Sequence, residues 1–243
     1  MRNTLFYKHL LFKFLNKLKK NKDFLSKTEI EKNILKNYKI YNTKEFIENI
    51  IKKPFYQFSE YEKEKYCLSK KILNKINIKM GGGANIDLLY SLIKNLKFDK
   101  IIETGVAYGW SSLSILSALE NVKNSKLISI DMPYPDLASV EYIGCLVPNN
   151  LRNKWQLIRK SDRSALKKIL KKDKFNLCHY DSDKSYYGRK WAYNLIWNNL
   201  ENNGVLISDD ISDNMAFLDF ANFVKVNPLI IEFNNKYIGL IFK

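Results

Sequence analysis

The stretch Ile101-Ile102-Glu103-Thr104-Gly105-Val106-Ala107-Tyr108-Gly109-Trp110-Ser111-Ser112 decides the fold. A short apolar run with strand character passes through two glycines into a helical pattern over residues 110–120. Gly105 permits a tight turn and Gly109 lets the backbone approach a ligand closely. The helix start offers N–H groups without intrahelical partners, with Ser111 or Ser112 as caps. Glu103, at the end of the apolar run, puts a carboxylate where a cationic ligand group can sit. A Gly-x-x-x-Gly pair also describes an ordinary strand–helix turn, so the surrounding pattern has to arbitrate.

Downstream, apolar runs alternate with amphipathic segments. Strands are expected at residues 100–104, 126–131, 155–159, 175–181 and 204–209, and helices at 86–96, 110–120, 162–171, 187–200 and 212–226. Such alternation predicts parallel strands joined by right-handed crossovers. The ending differs: residues 228–233 and 237–242 read as two strands joined by Asn234-Asn235-Lys236, so the last strand runs antiparallel. The expected fold class is α/β: a Rossmann-like, doubly wound, seven-stranded, mostly parallel sheet with a C-terminal antiparallel hairpin and an N-terminal helical extension.

Met80-Gly81-Gly82-Gly83-Ala84 marks the boundary, because three glycines in a row are costly inside a helix or strand. Residues 1–80 are expected to form a helical extension serving packing, oligomerisation or as a substrate lid, and residues 81–243 the cofactor-binding domain. Helices are read at 27–36, at 43–53 with Thr43 as N-cap, and at 60–76. Residues 5–20 are amphipathic and have two readings: contact with an anionic membrane surface, or packing against the domain or a second subunit.

The formal charge of +16 invites a nucleic-acid reading. Its distribution argues against one, since residues 1–80 hold 20 Lys/Arg against 8 Asp/Glu and residues 81–243 hold 21 against 17. The excess therefore lies away from the glycine loop. Cys67, Cys145 and Cys178 are odd in number and widely spaced, which disfavours a disulfide framework or a cysteine-rich zinc site. No apolar run approaches the roughly 20 residues that span a bilayer, and the first residues do not read as a signal peptide. A cytoplasmic protein is expected.

Asp131 ends the second strand of the alternating region, where a carboxylate can accept hydrogen bonds from both ribose hydroxyls. No Gly-x-Gly-x-x-Gly and no Walker lysine occurs, so a pyrophosphate cradle is not indicated. The loop Glu103-x-Gly105-x-x-x-Gly109 with Asp131 resembles motif I and its successor in class I S-adenosylmethionine-dependent methyltransferases. The terminal hairpin resembles that family's last two strands. Gly105–Ser112 and His179-Tyr180-Asp181-Ser182-Asp183-Lys184-Ser185-Tyr186 look closest to the O-methyltransferase-like branch, methyltransferase type 24. The resemblance covers roughly Gly81 to the end. It implies S-adenosylmethionine as cofactor, with Glu103, Gly105 and Gly109 bordering its methionine part and Asp131 holding the ribose. Ser161-Asp162 would lie against the adenine, and Val106, Ser111, Met132 and Asp181 complete the implied cofactor contacts.

Asp181, Asp209 and Asp210 sit at two neighbouring strand ends. Gathered carboxylates repel unless something positive lies between them, and a hard divalent cation such as Mg²⁺ suits oxygen ligands. The spacing resembles metal-dependent O-methyltransferases of the catechol and caffeoyl-CoA type, with Asp210 where they have Asn. By that resemblance Asp181, Asp209 and Asp210 would hold the metal, which would lower the pKa of a substrate hydroxyl. Lys184 would take the proton if its own pKa were depressed. The aspartates can also simply cap the helices that follow. His179 alternates with Asp181 along one strand and is either a ligand or base, or a hydrogen-bonded structural histidine. Residues 132–150, rich in proline and aperiodic, are expected to form an acceptor-side lid.

The expected function is an S-adenosylmethionine-dependent O-methyltransferase acting on a hydroxyl of a small molecule or sugar, with assistance from a divalent metal and assembly into a homo-oligomer as further expectations. The alternatives are an RNA-directed methyltransferase or RNA-binding module using the basic N-terminus, and a non-catalytic protein that keeps the fold.

Overall fold

The computed structural model describes residues 25–132 and 140–243. The amphipathic stretch 5–20 and residues 133–139 of the expected lid lie outside the described residues. Helix α1 (Lys27–Asn37) opens on a reciprocal capping box between Ser26 and Glu29 and buries Ile30 and Ile34. After strand β1 (Ile40–Tyr41) comes α2 (Thr43–Glu45), which widens into a single π turn, Phe46–Ile50. The cap of α2 is Asn42, whose Oδ1 accepts from the Glu45 N–H at 2.9 Å. Thr43, the residue expected there, instead accepts from the Asn85 side-chain amide at 2.7 Å.

The single helix expected over 60–76 is two, α3 (Phe58–Tyr61) and α4 (Lys63–Leu73). The chain breaks at Glu62, whose carboxylate accepts from the Tyr90 hydroxyl at 2.7 Å and from Lys65 at 2.6 Å.

From α5 (Ile86–Leu96) onward the elements alternate. They are β2 (Lys100–Thr104), α6 (Trp110–Leu119), β3 (Lys126–Ile130), β4 (Trp155–Ile158), α7 (Asp162–Leu170), β5 (Phe175–Tyr180), α8 (Tyr186–Asn199), β6 (Leu200–Ser208), α9 (Ala216–Phe223), β7 (Leu229–Phe233) and β8 (Lys236–Phe242). The strands form one sheet in the order β1-β7-β8-β6-β5-β2-β3-β4. β8 is antiparallel to both β6 and β7, and every other pairing is parallel.

The seven expected strands are joined by an eighth, β1, in the region read as helical. Two residues are too few to show a period in sequence, and β1 exists because it pairs with the outer side of β7. The hairpin turn is also shorter than expected: Asn234 and Asn235 both adopt positive φ (52° and 58°), a two-residue turn, so Lys236 belongs to β8.

Successive strand residues face opposite sides of the sheet. Ile101, Leu127, Leu177 and Val205 pack with Leu89, Leu92, Leu113 and Leu116 of α5 and α6. Ile102, Ile128, Cys178 and Leu206 pack with Leu166, Tyr193 and Phe217 of α7, α8 and α9. Ile30 and Ile34 are fully buried in the second core, and Phe46, Ile47 and Phe58 in the first. Each such side chain contributes about 2 kcal/mol of burial, so the segment before the glycine run is anchored to the sheet. Among the described residues no helix is long and apolar enough to cross a membrane.

Chain order along the sheet reverses between β2 and β5. The strands β2, β3 and β4 run one way from that point, and β5 and β6 the other. A crevice at the carboxyl ends of the strands is expected at such a switch point.

Candidate active site

A cleft of about 230 Å³ opens there. One wall is the loop Gly105–Tyr108 with Asp131. The opposite wall carries Asp181, Lys184, Asp209, Asp210 and Lys236, and residues 80–84 form a third side.

The loop wall is made largely of main chain. Gly105 has φ +83°, and a Cβ there would lie 2.2 Å from the Asp181 carbonyl oxygen. Any side chain would wedge β2 away from β5. Gly109, at φ +96°, would bring a Cβ within 2.9 Å of Gly144 Cα. The Gly144 and Leu146 N–H groups donate to the Ala107 and Tyr108 carbonyls, at 2.9 and 3.1 Å, so residues 144–147 brace the loop from outside. The Tyr108 hydroxyl bonds to the Ile78 carbonyl and accepts from the Met80 N–H at 3.0 Å, which ties the strap before the glycine run to the loop.

Asp131 is nearly fully buried. Its Oδ2 accepts from the Val106 and Ala107 N–H groups, at 2.7 and 3.1 Å. Burial raises its pKa, and those two backbone donors partly offset the rise.

Glu103 lies beneath the loop and does not line the cleft. It is fully buried, and its Oε2 accepts from Ser112 and Ser129 at 2.5 and 2.6 Å. Its Oε1 stands 3.7 Å from His179 Nδ1, a Coulombic contact longer than a hydrogen bond. The other face of the imidazole, Nε2, is 3.5 Å from Asp209 Oδ1. Burial opposes an imidazolium here, but the charges of Asp209 and Glu103 together outweigh it and push His179 up to about 10. The imidazole thus lies buried between two carboxylates whose charges favour its protonated form.

At the charged wall, Lys184 Nζ is 3.0 Å from Asp181 Oδ1 and also contacts Asp210 Oδ2. Lys236 Nζ is 2.9 Å from Asp210 Oδ1. Burial works against ionisation of Asp210, yet the two lysines hold it below the usual carboxylate range. Burial and the Asp209 charge push Asp181 up to about 6, against the pull of Lys184 and His179. Burial would depress Lys184, but Asp181 and Asp210 prevail and its pKa is raised. Behind this wall the fully buried Arg189 donates to the Asp209 and Asp210 carbonyls, at 3.0 and 2.9 Å. Those bonds fix the backbone of Asp210, which is left-handed at φ +53°.

Residues 102–211 match the family described as a methyltransferase domain. This segment, just under half of the chain, is similar to that family. The O-methyltransferase from Bacillus cereus in complex with SAH superposes with a TM-score of 0.57 at 12% identity, over 74% of this chain and 90% of that one. A methyltransferase from Geobacter sulfurreducens gives 0.57 at 17% identity, over 78% and 98%. The O-methyltransferase TomG from Streptomyces achromogenes, in complex with SAM, gives 0.55 at 12%, over 74% and 86%. At these identities the likeness is one of fold. No curated protein matches the chain in sequence.

The fold gathers Gly105, Val106, Ser111, Asp131, Asp181, Asp209 and Asp210 around the cleft, with Lys184. Glu103, Gly109, Met132, Ser161, Asp162 and His179 are not among the residues lining it. Neither Ser111 nor Ser112 caps α6: the N-cap is Gly109, and Ser112 turns inward to Glu103. Ser161 is the N-cap residue of α7, and Asp162 accepts from the Ser182 hydroxyl, linking this corner to the end of β5.

The expected metal site does not assemble. Among the described residues no group of three or more His, Cys, Asp and Glu side chains is arranged to hold a metal ion. Both oxygens of Asp210 face ammonium groups, and an oxygen of Asp209 faces His179. The carboxylates are neutralised by side chains of this chain, so a divalent cation does not fit among them. The base role expected of Lys184 calls for a depressed pKa, whereas Asp181 and Asp210 raise it here.

Sequence reading missed Lys236, Arg189 and Tyr108. Lys236 falls in the expected turn and Arg189 within the helix expected over 187–200, with nothing local to single either out; only the folded chain brings them to the strand ends. For the strap at residues 80–84 the signal was present, as the triple glycine, but it was read as a boundary.

Proposed function

We propose that this chain transfers the methyl group of S-adenosylmethionine to a hydroxyl oxygen of a small molecule or sugar, without a resident metal ion. The observation that supports this reading is the Gly105 turn and the Asp131 carboxylate opening on one cleft at the sheet's switch point. The donor set suits the cofactor. Four aspartates against two lysines line the cleft, which favours a cationic sulfonium. Asp131 would hold the ribose, the loop Gly105–Tyr108 would border the methionine part, and Ser161-Asp162 would lie toward the adenine. The cofactor, when bound, supplies an electrophilic methyl whose departing bond pair stays on sulfur.

The chain's own residues then orient and neutralise. Lys184, protonated, is a hydrogen-bond donor to the acceptor oxygen. As the new C–O bond forms, the hydroxyl proton passes to the Asp181 carboxylate, which is ionised at neutral pH with its pKa at about 6. His179 and Arg189 keep Asp209 and Asp210 in place. Most of the rate enhancement in such a transfer comes from positioning.

The test is isothermal titration with S-adenosylhomocysteine, followed by methyl transfer to a panel of phenols, catechols and sugars in buffer containing a chelator. One-to-one binding of the thioether and chelator-insensitive turnover are expected. Absence of binding would sink the reading.

A further inference from the structure

The strand-end carboxylates and the two lysines that cover them carry one more conclusion, which rests on the proposed O-methyl transfer. Asp210 is almost fully buried, and its two oxygens are each taken by a different ammonium group. The arrangement is held on both sides. Arg189, about 1% exposed, grips the carbonyls of Asp209 and Asp210, so this backbone cannot readily turn to re-aim the carboxylate. Lys184 is fixed by its own carbonyl, which accepts from the Asn214 side-chain amide at 2.7 Å. Lys236 sits directly after the two-residue turn, paired in register with Phe233 of β7. A charge that a lone aspartate would leave exposed to the cleft is thus clasped from two separate elements.

We propose that the Lys184–Asp210–Lys236 clasp takes the place of a divalent cation at the acceptor end of this cleft. Lys184 supplies the positive charge that meets the acceptor oxygen, and Lys236 is the positioning residue that makes the clasp complete. An ammonium has three N–H donors. Lys184 spends two on carboxylates and Lys236 one among the described residues, which leaves donors for a ligand in the cleft. A divalent cation entering here would have to displace an ammonium from Asp210 and would meet repulsion from the other. The clasp therefore excludes the ion by charge as well as by occupancy.

The experiment uses the full chain and Mn²⁺ alone as probe, followed by the paramagnetic resonance signal of the free ion. S-adenosylhomocysteine titration runs on the same samples. The wild type should leave the Mn²⁺ signal undiminished up to about 1 mM, the weak end of protein sites for hard divalent ions. The double variant Lys184→Met/Lys236→Met should bind Mn²⁺ at least about tenfold tighter, and adding Asp209→Asn should remove that gain.

Stoichiometric Mn²⁺ binding by the wild type, abolished by Asp209→Asn, overturns the proposal. So does a double variant that gains nothing. If the double variant does not fold, Lys236→Met and Lys236→Arg decide: Arg keeps the charge and should still exclude Mn²⁺, and equal binding by both variants counts against the clasp. Failure of the wild type to bind S-adenosylhomocysteine defeats the methyltransferase reading instead, while the Mn²⁺ result still judges the clasp.

Discussion

Between β2 and β3 the cleft is bounded mainly by main chain; between β5 and β6 it is bounded by charged side chains. The first wall depends on the absence of a side chain at Gly105 and on backbone N–H groups gathered by Asp131. The second depends on cations placed among carboxylates by four different elements: His179 on β5, Lys184 on the loop after it, Arg189 on α8 and Lys236 on β8. The difference concerns how each wall fails. A backbone wall yields to one methyl group, because nothing around it can move. A charged wall yields to the loss of a partner, because each remaining charge is left in a poorly solvated place.

The largest effect is expected at the backbone wall. Gly105→Ala combines a positive φ with a Cβ placed 2.2 Å from the Asp181 carbonyl oxygen, and should destabilise the fold by about 4 kcal/mol. Urea unfolding measures it, and a cost under about 1 kcal/mol would mean the wall is not sterically closed.

At the charged wall, His179→Ala leaves Glu103 and Asp209 facing each other across a buried gap and should cost about 3 kcal/mol. The sign of the pH dependence follows from the raised pKa. The imidazolium is stabilised in the folded chain, so its contribution is complete below its ordinary value of 6.5 and is lost as pH rises through about 10. Wild-type stability should fall over that window and the variant's should not. A parallel decline in both would remove His179 from the account.

Asp131→Ala sharpens the contrast from the ligand side. It removes the acceptor of two loop N–H groups, and it should weaken S-adenosylhomocysteine binding by about thirtyfold, near 2 kcal/mol. Titration calorimetry at constant pH gives the number, and unchanged affinity would place the ribose elsewhere.

The smallest expected change lies outside both walls. Asn42→Ala removes the cap of α2 and should cost about 1 kcal/mol while leaving cofactor affinity alone. A drop in affinity from this variant would show that the N-terminal segment and the cleft are energetically coupled.

Much of this could be read from the chain alone. The alternation of apolar runs and amphipathic segments after residue 86, Gly105 and Gly109 at the first turn, Asp131 at the next strand end and the final hairpin all rest on local rules. Strand period, helix period and positive φ are set within a few residues, so they leave marks in the sequence. The eighth strand left none, since Ile40–Tyr41 becomes a strand only because β7 lies beside it.

The charged wall shows the limit most clearly. Asp181, Asp209 and Asp210 were legible as carboxylates at strand ends, and three carboxylates imply a cation. Which cation was decided by distance in space. Lys236 lies 26 residues beyond Asp210 along the chain and meets it across the β6–β8 pairing. Along the chain the nearest acidic residue to His179 is Asp181, yet its imidazole packs between Glu103 of β2 and Asp209 at the end of β6. Backbone geometry is a local property and survives in one dimension. Charge compensation is a sum over neighbours, and only the fold determines which neighbours there are.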